Sequence, residues 1–342
     1  FEHTIIVGRT DASNPMLGLE MQGPPGSAIR PVLAELMERF AHATGRPAAV
    51  VFDYTFRGQT GADERFAAAA MALEAAGVPV VIAELPPKEL ERPEDRGKPP
   101  LSPVIAGAIS RRGRLFVQVD DLKQWGCPSV IKGPGPDPYV SLSMAAYAAA
   151  TAPGKRPVFE LDTQGNTVQI AFFDRSKPPG ESLLEAPERV EKIRATTIQP
   201  VEVERKPIPG LICAYMHLPL PERELLDQIT IPIESLVVGD GSSALARCAG
   251  RIVLVADLEH PSDTHDLRDG EHPGVHAHAL AVESFWAGVP IMPSRVEEWA
   301  ILAIGALAGM ILPIPILLRR AWWPRWAVGV SASAWLVCMA VF

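Results

Sequence analysis

The fold class that this sequence predicts is α/β, a largely parallel sheet flanked by helices, followed by a transmembrane helical hairpin. Three observations carry that expectation. Unbroken apolar, β-branched runs at residues 48–53, 78–83 and 251–257 read as strands buried on both faces, the kind found in parallel sheets. Segments with apolar residues at helical spacing separate them, which is the alternation of a layered α/β domain. Residues 299–318 then run twenty positions without a charge. At about 1.5 Å rise per residue, that length spans a hydrocarbon core of about 30 Å.

Residues 3–7 form a short β-branched run closed by Gly8 and Arg9. Ser27 is placed to cap a helix with Pro31 in its first turn, and Ile29, Val32, Leu33, Leu36, Met37 and Phe40 recur on one face. The strand at 48–53 ends on Asp53. A Gly-rich turn leads to Asp63, after which Phe66, Ala69, Ala70 and Leu73 mark a second helix. Beyond the strand at 78–83, residues 84–103 are a charged, proline-rich insertion. Residues 103–110 predict a short helix, 114–119 a strand and 141–151 an Ala-rich helix. The alternating runs 158–161 and 167–173 predict a hairpin about Gln164 and Gly165. Residues 174–209 read as a second loose insertion, 222–228 as a helical turn and 231–238 as an apolar connector. Gly133-Pro-Gly135 and Gly239-Asp-Gly241 predict turns, since neither carries the Gly-x-x-x-x-Gly-Lys phosphate loop. A polar loop dense in His and Asp follows the strand at 251–257, then Pro273-Gly-Val-His-Ala-His278, then a helical run at 279–288.

The apolar tail sets the expected topology. A core helix as long as 299–318 would show a polar face, and this segment has none. Pro313 and Pro315 kink it, which membrane helices tolerate. Residues 326–342 supply a second apolar span. Between them Arg319, Arg320 and Arg325 stand with Trp322 and Trp323 and no acid, so the positive-inside rule makes this turn cytoplasmic. Residues 1–296 are then an extracytoplasmic domain, and 297–342 the membrane region of a multi-pass protein of the plasma (inner) membrane. A chain that starts at Phe1 and stops inside an apolar segment reads as a piece of a longer protein.

Charge narrows the partners. No charge other than those three arginines follows Glu298, leaving 29 basic and 40 acidic groups before it, a net −11. Nucleic acid is therefore an unsuitable partner, because its binding relies on Lys and Arg neutralising phosphates. Four cysteines are too few for a disulfide framework. Cys127, Cys213 and Cys248 show no metal-ligand spacing, and one bridge among them is allowed if the domain is exported. The 34 prolines, roughly twice the average frequency, suggest long, stiff surface loops.

Two constellations stand out. Asp53, Glu84, Asp120 and Asp257 each sit just past an expected strand. In a parallel sheet those ends share one edge, where α/β folds place ligand crevices. Acids clustered there favour a cation or an amine, or raise one another's pKa. The alternative is plain turn formation and helix capping by Asp. The second constellation is His260, His265, His272, His276 and His278, interleaved with Asp257, Asp263, Asp266 and Asp269. Imidazole and carboxylate suit zinc or a similar ion, with His260, His265, His276 and His278 as candidate ligands and His276-x-His278 chelating from an extended segment. The alternative is a solvated loop with His278 structural, and no spacing matches His-Glu-x-x-His. Ser242-Ser243 and Ser141-x-Ser143 lack the Gly-x-Ser-x-Gly elbow of many serine hydrolases. No cofactor is expected.

Several of these segments together carry a resemblance. Gly250-Arg-Ile-Val-Leu-Val-Ala256, Asp263 and Pro273-Gly-Val-His-Ala-His-Ala279 resemble the second family of CHASE sensors, the cyclase/histidine-kinase-associated sensory extracellular domains. That family has a Gly-Lys-Ile-Val-Leu-Ile-Gly strand, a loop with an Asp, a Pro-Gly-Val-x-x-His-Ala helix opening, and membrane helices after it. Val50-Val-Phe-Asp53, Asp63 and residues 139–150 are similar to its upstream elements. Ala256 stands where the family has Gly, and Asp120-Asp-Leu-Lys-Gln-Trp-Gly126 where it has Asp-Gly-x-x-Arg. The resemblance implies an extracytoplasmic sensory, ligand-binding input domain of a bacterial transmembrane signalling receptor. The domain itself is then no enzyme, any cyclase or kinase lying in a cytoplasmic effector outside these residues. With the sheet-edge argument it marks Asp53, Asp63, Asp120, Asp257, Asp263 and His278 as ligand-facing. The expected partners are the lipid bilayer, an unknown extracytoplasmic ligand and a second copy in a homodimer. Two other readings compete: a membrane-tethered, metal-dependent hydrolase using the cluster from His260 to His278, and an envelope scaffold that binds no ligand.

Overall fold

Six strands, all parallel, make the sheet on which the candidate site sits. The structure is a computed structural model that describes residues 1–19, 28–84, 100–115, 118–119, 125–133, 138–164, 167–174, 187–195, 197–203, 206–218, 223–259, 263–267 and 270–288. The chain opens with β1 (Thr4–Arg9), α1 (Ser13–Met16), α2 (Arg30–His42), β2 (Ala49–Phe52), α3 (Asp63–Ala75), β3 (Val80–Glu84), α4 (Pro103–Ala108) and β4 (Arg111–Arg114). It then leaves the sheet for β5 (Gln118–Val119), β6 (Trp125–Lys132), β7 (Tyr139–Val140), α5 (Leu142–Thr151), β8 (Lys155–Asp162), β9 (Thr167–Asp174), β10 (Arg189–Arg194), β11 (Thr197–Val203), β12 (Lys206–His217) and α6 (Arg223–Ile229). It returns through β13 (Thr230–Pro232), α7 (Glu234–Val237), α8 (Ser242–Cys248), β14 (Ile252–Asp257), β15 (Thr264–Leu267), β16 (Gly270–Pro273) and α9 (Gly274–Ala287).

The parallel sheet has the order β13-β1-β14-β2-β3-β4. Its inner strands β1, β14 and β2 are apolar on both faces because both are covered: Ile5, Ile6, Val50, Val51, Val253 and Leu254 are all buried. The crossovers β13 to β14, β1 to β2, β2 to β3 and β3 to β4 all step the same way across it. Right-handed connections therefore gather their helices on one face, where α2 packs on α3 and α7. On the other face α5 packs on α9. The chain leaving β14 thus heads for α9, on the face opposite to the one reached from β1 and β2.

The excursion builds the antiparallel part, a sheet in the order β10-β9-β8 and a sheet in the order β11-β12-β6-β5. Between this part and the parallel sheet lies α9. Its Val275, Ala279 and Val282 join the core of the parallel sheet, and its Ala277, Leu280, Ala281 and Phe285 join the core of the antiparallel strands. That double burial explains why α9 carries no polar face.

Several expectations change. The strand placed at 114–119 is two strands: β4 pairs with β3 in the parallel sheet, while β5 pairs with β6 in another. Residues 174–209 are not a loose insertion, since they hold β10, β11 and the start of β12. Their apolar signal is weak because β10 exposes one face. The connector at 231–238 adds an edge strand, with Ile231 in register with Val7, and the helix expected from 279 begins at Gly274. Strand β6 and helix α8 lack any counterpart in the sequence reading. The N-cap of α2 is Ile29, Ser27 lying outside the described residues. Cys127, Cys213 and Cys248 are free and buried, with no bridge among them. Among the described residues no helix is long and apolar enough to cross a membrane. The spans at 299–318 and 326–342, the boundary at 296–297 and most of the insertion at 84–103 lie outside the described residues.

Candidate ligand site at the carboxyl edge of the parallel sheet

Register brings the site together. Arg9 at the end of β1 stands opposite Asp257 at the end of β14, and the Asp53 amide donates to the Val255 carbonyl at 2.9 Å. Arg9, Asp257 and Asp53 therefore share one edge, at the point where the chain after β14 departs to the opposite face from its two neighbours. Diverging loops of this kind open the crevices of α/β proteins. Arg9 is paired with Asp257 and donates from Nε to Asn14 Oδ1 at 2.9 Å. Gly8 makes room for this edge to close: a Cβ there would stand 2.2 Å from Leu258 Cδ1.

Beside that ion pair, two polar atoms are sealed from solvent without a hydrogen-bond partner among the described residues, Asp53 Oδ2 and the Tyr54 hydroxyl. Burial first, and then the charge of Asp263, pushes the Asp53 carboxyl well above its ordinary range. Burial and the neighbouring Asp257 likewise raise the Tyr54 phenol, with Arg9 opposing. Asp263 stands at the start of α9, where a Cβ on Gly274 would be 2.5 Å from its Oδ1. The first turn of a helix favours an anion through its free N–H groups and dipole, so glycine at 274 lets Asp263 approach that turn closely. Hollows of about 250 Å³ and 410 Å³ occur beside Lys155 and Arg189 and beside Ile231 and Arg247, neither of them lined by Arg9, Asp53, Tyr54 or Asp257.

Asp63 has a different role from the one its neighbours suggest. It is buried against Arg30, the two side chains 1% and 2% exposed. The Thr60 hydroxyl donates to its Oδ1 at 2.6 Å, and the Thr60 amide at 3.2 Å and Ser102 Oγ donate to its Oδ2. Arg30 in turn reaches the carbonyls of Gly58 at 3.1 Å and Arg57 at 2.7 Å. This network ties α2 to the loop before α3. Glu84, also at the sheet edge, is held by Arg114 at 3.1 Å and Arg112 at 3.6 Å. Asp120 lies outside the described residues, after β5 rather than after a strand of the parallel sheet.

The histidines separate by burial. His278 is buried on α9 with Nδ1 at 2.7 Å from Ser143 Oγ on α5, and Cys127 Sγ lies 4.0 Å from that hydroxyl. Burial, then the charge of His265, pushes His278 down to about 4. His276 meets His272 instead, Nδ1 to Nδ1 at 3.3 Å, with the Trp125 ring edge-on to both. Burial, His272 and Arg223 bring His276 down to about 4 as well. Both residues sit on α9 rather than on an extended segment, and positions two apart on a helix do not face each other. His265 opposes His272 across the β15–β16 hairpin. His260 lies outside the described residues. Among the described residues no group of three His, Cys, Asp or Glu is placed to hold a metal ion.

Arg9, Asn14 and Tyr54 are the site residues that reading the sequence missed. Arg9 becomes visible only once β14 is known to lie beside β1; Tyr54 merely follows Asp53, with no spacing to single it out. No family model, no curated protein and no solved structure matches this chain, so a functional reading has to stand on the geometry of this edge and on the apolar tail.

Proposed function

We propose that residues 1–296 are the extracytoplasmic, ligand-binding input domain of a transmembrane signalling receptor, tethered by spans at 299–318 and 326–342 and serving a cytoplasmic effector. One observation carries the reading. Helix α9 meets the acid cluster at its first residue, Gly274, and ends at Gly288, eleven residues before the charge-free run that begins at Trp299. Fourteen residues make a rod of about 21 Å. Its far end is pinned to the start of β1, with Trp286 stacked on His3 at 4.6 Å and Glu283 accepting the His3 amide at 2.9 Å.

The ligand chemistry follows from the two unpartnered atoms. An acceptor on Asp53 and a donor on Tyr54, beside Asp257 and Asp263, suit a small amine that also carries a hydroxyl or carbonyl oxygen. Because both atoms are sealed, such a ligand reaches them only by parting the groups around them. It then binds one arrangement of the edge better than the other, which is the condition for shifting an equilibrium. Asp263 lies against α9, so the same parting moves that helix.

Topology tests the tether. A reporter inserted after Asp174, the last residue of β9, is expected to be active only on the outer side of the membrane. Activity on the cytoplasmic side overturns the proposal.

A further inference from the structure

The three-stranded sheet β10-β9-β8 turns one face to the core through Leu161, Val168, Ile170, Phe172 and Ile193, all buried. Its other face is open, and the register orders that face into rows across the strands. Asp162, Thr167 and Arg194 form one row; Glu160, Gln169 and Lys192 the next; Val158, Ala171 and Val190 the third. Val158 and Val190 are 39% and 49% exposed, unusual for valines directly in line across a sheet. Glu160, Lys192 and Arg194 are exposed and make no ion pair among the described residues. Both charged rows put the acid on β8 and the base on β10, with the strand between them keeping the two apart.

We propose that this face docks on the same face of a second copy, about a two-fold axis parallel to β9. That axis lays β8 of one copy over β10 of the other. Glu160 then meets Lys192, Asp162 meets Arg194, Val158 meets Val190, and Ala171 meets its own counterpart on the axis. Each contact occurs twice, as an isologous interface requires. The other in-plane axis, across the strands, turns Glu160 toward Arg156 and Lys192 toward Glu188. Those two are already engaged, Glu188 by Lys155 at 2.6 Å and Arg156 against the Phe173 ring. Three strands about 4.8 Å apart and eight residues at about 3.4 Å give a patch of roughly 14 by 27 Å. That is smaller than a stable specific interface, which buries about 1,200 Å² or more in total, so the dimer is weak and transient in solution and weakens further with salt. The inference depends on neither the ligand nor the membrane reading.

Sedimentation equilibrium of the full chain in detergent, with and without added salt, tests it. Wild type is expected to self-associate. Glu160→Lys and Lys192→Glu each place like charges opposite twice, and each is expected to weaken association roughly tenfold or more. Mixing the two variants, or combining both changes in one chain, restores opposite charges everywhere and is expected to recover the wild-type value. Glu160 and Lys192 are both exposed, so circular dichroism melting should not move. Association that survives both single reversals, or a mixture no stronger than its components, overturns the proposal.

Discussion

Two aspartates bound the same loop. Asp53 opens it at the end of β2 and Asp63 closes it at the start of α3, yet they meet opposite fates. Burial would raise the Asp63 carboxyl, but hydrogen bonds from Ser102, Thr60 and Arg30 outweigh it and hold the group below its ordinary range. Asp53 Oδ2 is sealed with no such compensation, and the nearby Asp263 adds repulsion to the cost of burial, so its carboxyl rises. Burial sets the penalty in both cases, and the partners decide its sign. A satisfied acid is part of the scaffold. An unsatisfied one is a standing penalty, which a structure keeps where something else makes use of the group.

The largest expected effect tests the satisfied side. Asp63→Ala leaves the Arg30 guanidinium buried without its counter-charge, and breaking such a pair costs about 3–5 kcal/mol. Urea unfolding at neutral pH should show a loss of that order; a loss below about 1 kcal/mol would break the comparison. The acid dependence follows the same logic. The folded pKa of Asp63 lies below its unfolded value of about 3.9, so its contribution is complete above that pH and fades as pH falls through the folded value. The variant should lack that part of the acid slope.

A buried group with a single partner sharpens the contrast. His278 has Ser143 on one nitrogen and is held at about 4 against about 6.5 unfolded. Its neutral form is favoured by the fold, so the stability it contributes is complete above about 6.5 and is lost as pH falls towards 4. The displacement amounts to about 3 kcal/mol. Urea unfolding between pH 7 and pH 4 should show that decline, and His278→Asn should flatten it. An unchanged slope in the variant would mean that the histidine titrates freely and that burial alone does not govern these groups.

What reading the sequence could reach follows from burial. Strands β1, β2, β3 and β14 announce themselves because both their faces are covered, leaving apolar runs such as Val50-Val51-Phe52 and Val253-Leu254-Val255. Strand β10 does not, because Val190, Lys192 and Arg194 form its outward row and Ile193 is its one buried residue. Asp53 and Asp257 were legible as strand-end acids, and the edge they share is real. Asp63 was equally legible but its partner is not: Arg30 lies 33 positions away, and only the fold shows that the pair seals itself. The pairing of His278 with Ser143, 135 positions apart, was hidden for the same reason, since local spacing says nothing about which helices will pack.

Asp53→Asn tests the unsatisfied side, and its expected sign is opposite to that of Asp63→Ala. A carboxyl whose folded pKa lies above the unfolded value of about 3.9 favours the fold at acid pH and loses that advantage as pH rises through the folded value. At neutral pH it is therefore a burden, and replacing it with a neutral isostere should stabilise. The gain is expected at about 1–2 kcal/mol at pH 7, typical of relieved functional strain, and to vanish near pH 3, where the native carboxyl is itself neutral. The asparagine amide brings donors that also need partners in a sealed site, which keeps the gain the smallest of the three effects. Thermal melting at both pH values measures it. A variant less stable than wild type at pH 7 would mean that Asp53 works as Asp63 does, and the distinction between scaffold acid and site acid would fall.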